Sequence, residues 1–226
     1  MDLRVISIGV LAAHPLWDER SPVRTGHATT TLIRSGDATI LVDPGLPGPI
    51  LQARLAERAN LKPADITHVF LTSFRPDTTR GLDAFPEAVW WISEAEREGV
   101  GVPLAQTLRQ ASDQGDAEIV KALERDIGLL QRCRPAPDNL APHVDLFPLP
   151  GVTPGLCGLL VSEPGHTILV AGDAVPTAEH MERGMVLPQC ASLEKARESL
   201  LEAVEIADLL VLGRDNVVVN RGRRPF

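Results

Sequence analysis

No stretch of this 226-residue chain approaches the roughly 18 consecutive apolar residues that a membrane span requires. The N-terminus, "MDLRVISIGVLAAHP", carries an early acid and has no long apolar centre, which argues against a secretory signal. A basic excess is missing too: 22 Lys and Arg stand against 30 Asp and Glu, a formal charge of −8. A nucleic-acid-binding face would show the opposite balance, so neither a nucleic acid nor a membrane is expected as a partner. Cysteine is scarce and odd in number, with Cys133, Cys157 and Cys190 in no ligand spacing. That argues against a disulfide framework and suits reduced thiols in a cytoplasmic protein. Internal repeats and low-complexity linkers are absent. The cationic C-terminal run, "NRGRRPF", reads as a solvated tail.

What is present is ordinary for a folded domain. Apolar residues make up 44% and charged residues 23%, enough for one comfortable core in a chain of this length. "RVISIGVL" reads as a strand, and "TTTLIRSGDATILVDPG" as two strands joined at "SGD". Gly48 and Pro49 open a helix through "ILQARLAERA", which Asn60 stops. "ITHVFL" is short, apolar and β-branched, as a buried strand should be. "AVWWI" is a further strand, after which Ser93 caps "EAERE".

Residues 104–133 are polar and lack aromatics, with helical spacing at Ile119, Leu123, Ile127 and Leu130. They are expected to form one or two surface helices, an insertion in a single domain spanning 1–226. Strand character returns in "VDLFPLPG", "GLLVSEPG" and "HTILVAGD", the last two as a hairpin turning at "EPG". Ser192 caps a long amphipathic helix, and "LLVLG" is a final buried strand. Hairpins mixed with helical crossovers suit two mixed sheets with helices outside.

Four carboxylates stand at strand ends beside turn residues: Asp43, Asp77, Asp173 and Asp215. Aspartate favours turns by itself. Four at parallel positions point to one site, because open α/β architectures place their chemistry at strand ends. The segments "ILVDPG", "DITHVFLTSFRPDTTRGLDAFP", "FPLPGVTPGLCGLLV", "TILVAGDAV" and "ADLLVLGRDN" carry a resemblance in order and spacing. The chain resembles the metallo-β-lactamase superfamily over nearly its whole length. That resemblance implies a four-layer αββα sandwich and hydrolysis by one or two metal ions, mostly zinc, held at the strand ends.

The resemblance breaks where the metal ligands should be. Against the family pattern Thr-His-x-His-x-Asp-His, Thr72 and Asp77 match, while Ser73, Arg75 and Thr78 stand at the histidines. Against Gly-His-Thr-x-Gly, Gly151, Thr153 and Gly155 match and Val152 stands at the histidine. Asp173 matches the bridging aspartate, and Arg214 replaces the last histidine. His166, in "PGHT", imitates the third motif but belongs to the hairpin turn. Asp77 and Asp173 alone are too few for zinc, which takes about four ligands, at least three of them from protein at a catalytic site.

The expected site is therefore a vestigial pocket of Ser73, Arg75, Asp77, Thr78, Val152, Asp173 and Arg214, without a cofactor. Buried carboxylates need compensation. Arg75 and Arg214 are expected to pair with Asp77 and Asp173, as permanent cations offering a bidentate fork. They are also the candidate ligands for a small anion. The leading expectation is a pseudoenzyme, a small-anion- or protein-binding module. The alternative is a hydrolase of esters, thioesters, lactams or phosphoesters with zinc or another divalent metal on a rearranged site of Asp77, Asp173, His27 and His180. A third reading is a metal-free enzyme using Asp77, Arg75 or Cys157. His14, His68 and His143 read as structural or surface groups.

Overall fold

The computed structural model describes residues 1–222. One sheet holds β1 (Asp2–Ser7), β2 (Thr30–Ser35), β3 (Ala38–Val42), β4 (His68–Leu71), β5 (Val89–Ile92) and β6 (Arg134–Pro135), in that order. The first three pair antiparallel, and β3 through β6 run parallel. The other sheet holds β7 (Asn139–Ala141), β8 (Val144–Pro148), β9 (Cys157–Glu163), β10 (His166–Gly172), β11 (Leu209–Leu212) and β12 (Val217–Val219), again in order. Here β10 and β11 are parallel and the remaining pairs antiparallel. The helices are α1 (Gly48–Ala59), α2 (Pro76–Thr79), α3 (Glu94–Gln114), α4 (Ala117–Arg132), α5 (Ala178–Arg183) and α6 (Leu193–Ile206).

Strand alternation sorts the apolar side chains into three cores, because successive residues of a strand face opposite ways. In β3, Ile40 and Val42 enter the core between the sheets, and Leu41 enters the core under α1. In β10, Ile168 and Val170 face the first sheet, and Leu169 and Ala171 face α6. Leu51 and Leu55 of α1 and Leu130 of α4 close one outer core. Ala196, Leu200 and Ala203 of α6 close the other. The result is the expected four-layer αββα sandwich. Because the central strands are buried on both faces, they read as continuous apolar runs such as "TILV" and "HVFL".

The helix ends form where cap chemistry placed them. The Ser93 hydroxyl accepts from the Glu96 N–H, and that of Ser192 from the Lys195 N–H. Asn60 ends α1 in the left-handed conformation, at φ 52°. The "EPG" hairpin leaves Pro164 and Gly165 as a two-residue loop, with Glu163 paired to His166.

The helical insertion expected over 104–133 needs correction. Its first helix, α3, begins at Glu94, continues the capped "EAERE" segment through Pro103 and stops at Gly115. Proline removes one helical hydrogen bond, and the twenty-one-residue helix carries on past it. The strands β6, β7 and β12 and the short helices α2 and α5 were not anticipated. At two to six residues, they are too short to show a period. Among the described residues no helix is long and apolar enough to cross a membrane. The basic C-terminal tail lies, from residue 223 onward, outside the described residues.

Candidate ligand-binding site

The site lies at the strand ends, where the loops after β4, β10 and β11 converge. The loop after β4 is fastened from two sides. Thr72 donates its N–H to Asp43 Oδ1 at 2.9 Å and its hydroxyl to Asp43 Oδ2 at 2.6 Å. The Phe74 N–H donates to Glu96 Oε1 at 2.9 Å, and the Gly155 N–H to Glu96 Oε2 at 3.0 Å. Glu96 is completely buried at the start of α3 and thus ties the β4 loop to the loop before β9. The Arg75 N–H donates to the Thr78 hydroxyl at 3.1 Å, which opens α2 and turns Asp77 inward. Gly172 follows β10 at φ 55°, where a Cβ would lie 2.6 Å from Thr72 Oγ1. Only a glycine lets the chain pass so close to Thr72 and deliver Asp173.

Asp173 is nearly inaccessible, and Arg214 grips it bidentately, Nε to Oδ1 at 2.6 Å and Nη2 to Oδ2 at 2.6 Å. The third guanidinium nitrogen, Nη1, is in ion-pair contact with Asp77 Oδ2 at 2.5 Å. Arg75 approaches the same two carboxylates more loosely, Nη1 3.4 Å from Asp173 Oδ2 and Nε 4.0 Å from Asp77 Oδ1. Each arginine therefore faces both aspartates. Burial pushes the Asp173 carboxyl up, but the adjacent Arg214 and then Arg75 hold it below the usual carboxylate range. Burial alone would lower the Arg214 pKa, yet Asp173 and Asp77 keep it raised and permanently charged.

Above this cluster is a cavity of about 480 Å³. Arg75, Asp77, Asp173 and Arg214 form its charged floor. Its walls come from the segment after β1 (Leu11, Ala13, Pro15, Pro22) and from Leu187 and Pro188 beyond α5. The other expected pocket residues are not on that floor. Val152 is buried in the outer core beneath α6, where its apolar side chain belongs. Ser73 is fully buried, and the Thr78 hydroxyl is used within the loop, donating to the Ser73 carbonyl at 2.7 Å. Short side chains at these positions stop below the cavity.

The other candidates separate. His27 places Nε2 against the Ile8 carbonyl at 3.2 Å, and burial keeps its pKa low. His180 is completely buried, with Nδ1 2.8 Å from the Thr177 hydroxyl, and burial holds its pKa down to about 4. His14, expected to be structural or superficial, is buried beside it, with ring centroids 5.3 Å apart. The Cys157 thiol lies in the core between the sheets, where burial pushes its pKa up to about 12 and keeps it protonated and inert. His166 pairs with Glu163 across the hairpin at 3.3 Å. Asp215 caps α5 by accepting from the Ala178 N–H at 3.2 Å. Glu96 and the segment after β1 were missed. A glutamate three residues after a capping serine was the available signal for Glu96.

Asp43 has its own consequence. It is buried at φ 48°, and burial pushes its carboxyl up from 3.8 to about 7. An acid raised on folding supports the fold at low pH, and that support is lost as pH rises through the folded value. Asp43→Asn, which tolerates the left-handed backbone, removes this slope. Relative to the parent, the variant is expected to gain about 2 kcal/mol of stability between pH 5 and pH 7. Urea denaturation across that range checks it, and parallel curves would exclude a titrating Asp43.

The family model of the metallo-β-lactamase superfamily matches residues 23–212. The chain belongs to that superfamily. Solved structures of this fold superimpose closely. A Thermotoga maritima protein classed with the metallo-β-lactamases is 18% identical, with 96% of this chain and 98% of that one covered and a TM-score of 0.68. AidC, a dizinc quorum-quenching lactonase, is 21% identical, with 79% and 67% covered and a TM-score of 0.61. An AiiA mutant from B. thuringiensis with N-decanoyl-L-homoserine at its active site is 17% identical, with 90% and 86% covered and a TM-score of 0.61. No curated protein sequence matches significantly. In this superfamily member, no group of three or more His, Cys, Asp or Glu among the described residues is placed to hold a metal ion. The carboxylates at the strand ends face guanidinium groups instead, and such a donor set does not fit zinc.

Proposed function

We propose that this chain is a metallo-β-lactamase-fold protein without the metal centre and metal-dependent hydrolysis of the fold, acting as a binding module for a small anionic ligand. The observation that carries this reading is Arg214, seated bidentately on Asp173 and against Asp77, where the resemblance puts a histidine ligand. A guanidinium there does two things at once. It neutralises carboxylates that would otherwise be buried without compensation, and it blocks the oxygens a metal would use. Arg214 is spent on this internal task. Arg75, with 30% of its side chain exposed, is the more accessible of the two guanidinium groups on the cavity floor. The free thiols Cys133, Cys157 and Cys190 suit a cytoplasmic setting.

The test is elemental analysis of protein purified without chelator. Zinc, iron and manganese are each expected far below one equivalent, and added zinc is expected to leave ester, thioester and lactone substrates uncleaved. Stoichiometric metal would overturn the proposal.

A further inference from the structure

Resting on the reading of the cavity as a metal-free anion site, we propose that its ligand is a singly charged amphiphilic anion, a carboxylate carried on an apolar body, and not phosphate or another dianion. Two observations lead there, one about charge and one about the walls.

The charge argument is a count. The cavity is lined by three arginines, Arg20, Arg75 and Arg214, and three carboxylates, Glu19, Asp77 and Asp173. Glu19 is also paired with Arg24, a fourth arginine behind the lining. The lining is thus three charges against three, with Arg24 behind it as one further cation, and a monoanion adds the least negative charge to it. A second negative charge would have no counterpart. It would also lie against Asp77 and Asp173, whose like charge repels it at short range in a partly desolvated site. Arg75 offers the binding end. Its contacts of 3.4 and 4.0 Å to the aspartates are long, so its fork has donors to turn toward a ligand.

The walls say what the charge must be attached to. Leu11, Ala13, Pro15, Pro22, Leu187 and Pro188 surround the space above the floor. Beside Glu19, Arg20 and Gln189, which also line the cavity, these six offer no side-chain hydrogen-bonding group and reward apolar surface removed from water, at about 25 cal/mol per Å². A cavity of about 480 Å³ falls within the size range of small-molecule sites. A bare small ion would leave those walls wet and gain nothing from them. An amphiphile with its carboxylate on Arg75 uses both parts.

Isothermal titration of the full chain at fixed salt tests this with acetate, hexanoate, octanoate, 1-hexanol, inorganic phosphate and zinc chloride. Affinity is expected to rise at least tenfold from acetate to octanoate, with 1-hexanol and phosphate at least tenfold weaker than hexanoate. Arg75→Gln is expected to weaken octanoate at least tenfold, and Arg20→Gln a few-fold, the latter with a melting temperature near that of the parent. Phosphate binding as tightly as hexanoate would overturn the ligand class while leaving the anion site standing. Equal binding of hexanoate and 1-hexanol, or no binding by any carboxylate, would overturn the inference outright. Stoichiometric zinc would instead sink the metal-free reading beneath it.

Discussion

Arg214→Ala is expected to destabilise the protein by about 3–5 kcal/mol, the cost of leaving a buried charge without its partner. Arg214 provides the two short hydrogen bonds to Asp173 and the shorter contact to Asp77, and the third bond, from Arg75 at 3.4 Å, is too long to replace them. The pH dependence should also reverse at this site. In the parent, Asp173 is held below its ordinary pKa, so its contribution is present above that value and lost as pH falls. Without Arg214, burial dominates and raises the Asp173 pKa above the unfolded value. The variant should then lose stability as pH rises toward neutrality. Arg214→Met combined with Asp173→Asn removes the charge together with its partner, and should be less damaging than Arg214→Ala alone. Urea denaturation at pH 5 and pH 8 measures all three. Loss below 1 kcal/mol for Arg214→Ala would mean that the pair is not the compensating contact described.

Glu96→Ala should be comparably severe, at about 3–5 kcal/mol, because it orphans one buried and one part-buried donor that bond to a carboxyl. These are the N–H groups of Phe74 and Gly155, which belong to different loops. Because Phe74 precedes Arg75, the substitution should also loosen the floor of the cavity and weaken ligand binding. Glu96→Gln keeps one acceptor and should cost about half as much. Equal stability of the parent and Glu96→Ala in urea would refute the clamp.

The two variants differ in how visible their residues were beforehand. Arg214 was conspicuous because it follows a buried strand and "VLG", at a place where the resemblance calls for a histidine. Glu96 was hidden inside "EAERE", among acidic residues that look like an ordinary solvated first turn. The period of α3 does not distinguish an inward Glu96 from its exposed neighbour Glu94. Val152 misled for the opposite reason. Its place in a motif pointed to the pocket, while its chemistry pointed to a core, and packing under α6 won. His14 likewise sat in no element with a period that could announce its burial beside His180.

The longer strands, the helices capped by Ser93 and Ser192, the hairpin at Pro164 and Gly165 and the order of the layers follow from the sequence. Each depends on neighbours a few residues apart or on the apolar continuity of doubly buried strands. The presence of two arginines and two aspartates at strand ends was equally legible. Tertiary structure alone decided which arginine holds and which one is the more accessible. That choice joins residues 41 positions apart in one case and 98 in the other. It depends on the parallel register of β10 and β11, which sets Gly172 beside Leu212 and so brings the following Asp173 and Arg214 together. The cavity was likewise beyond reach of the sequence, because its walls come from opposite ends of the chain, Leu11–Pro22 and Leu187–Pro188. No local pattern encodes their meeting; only the packing of the two sheets makes it.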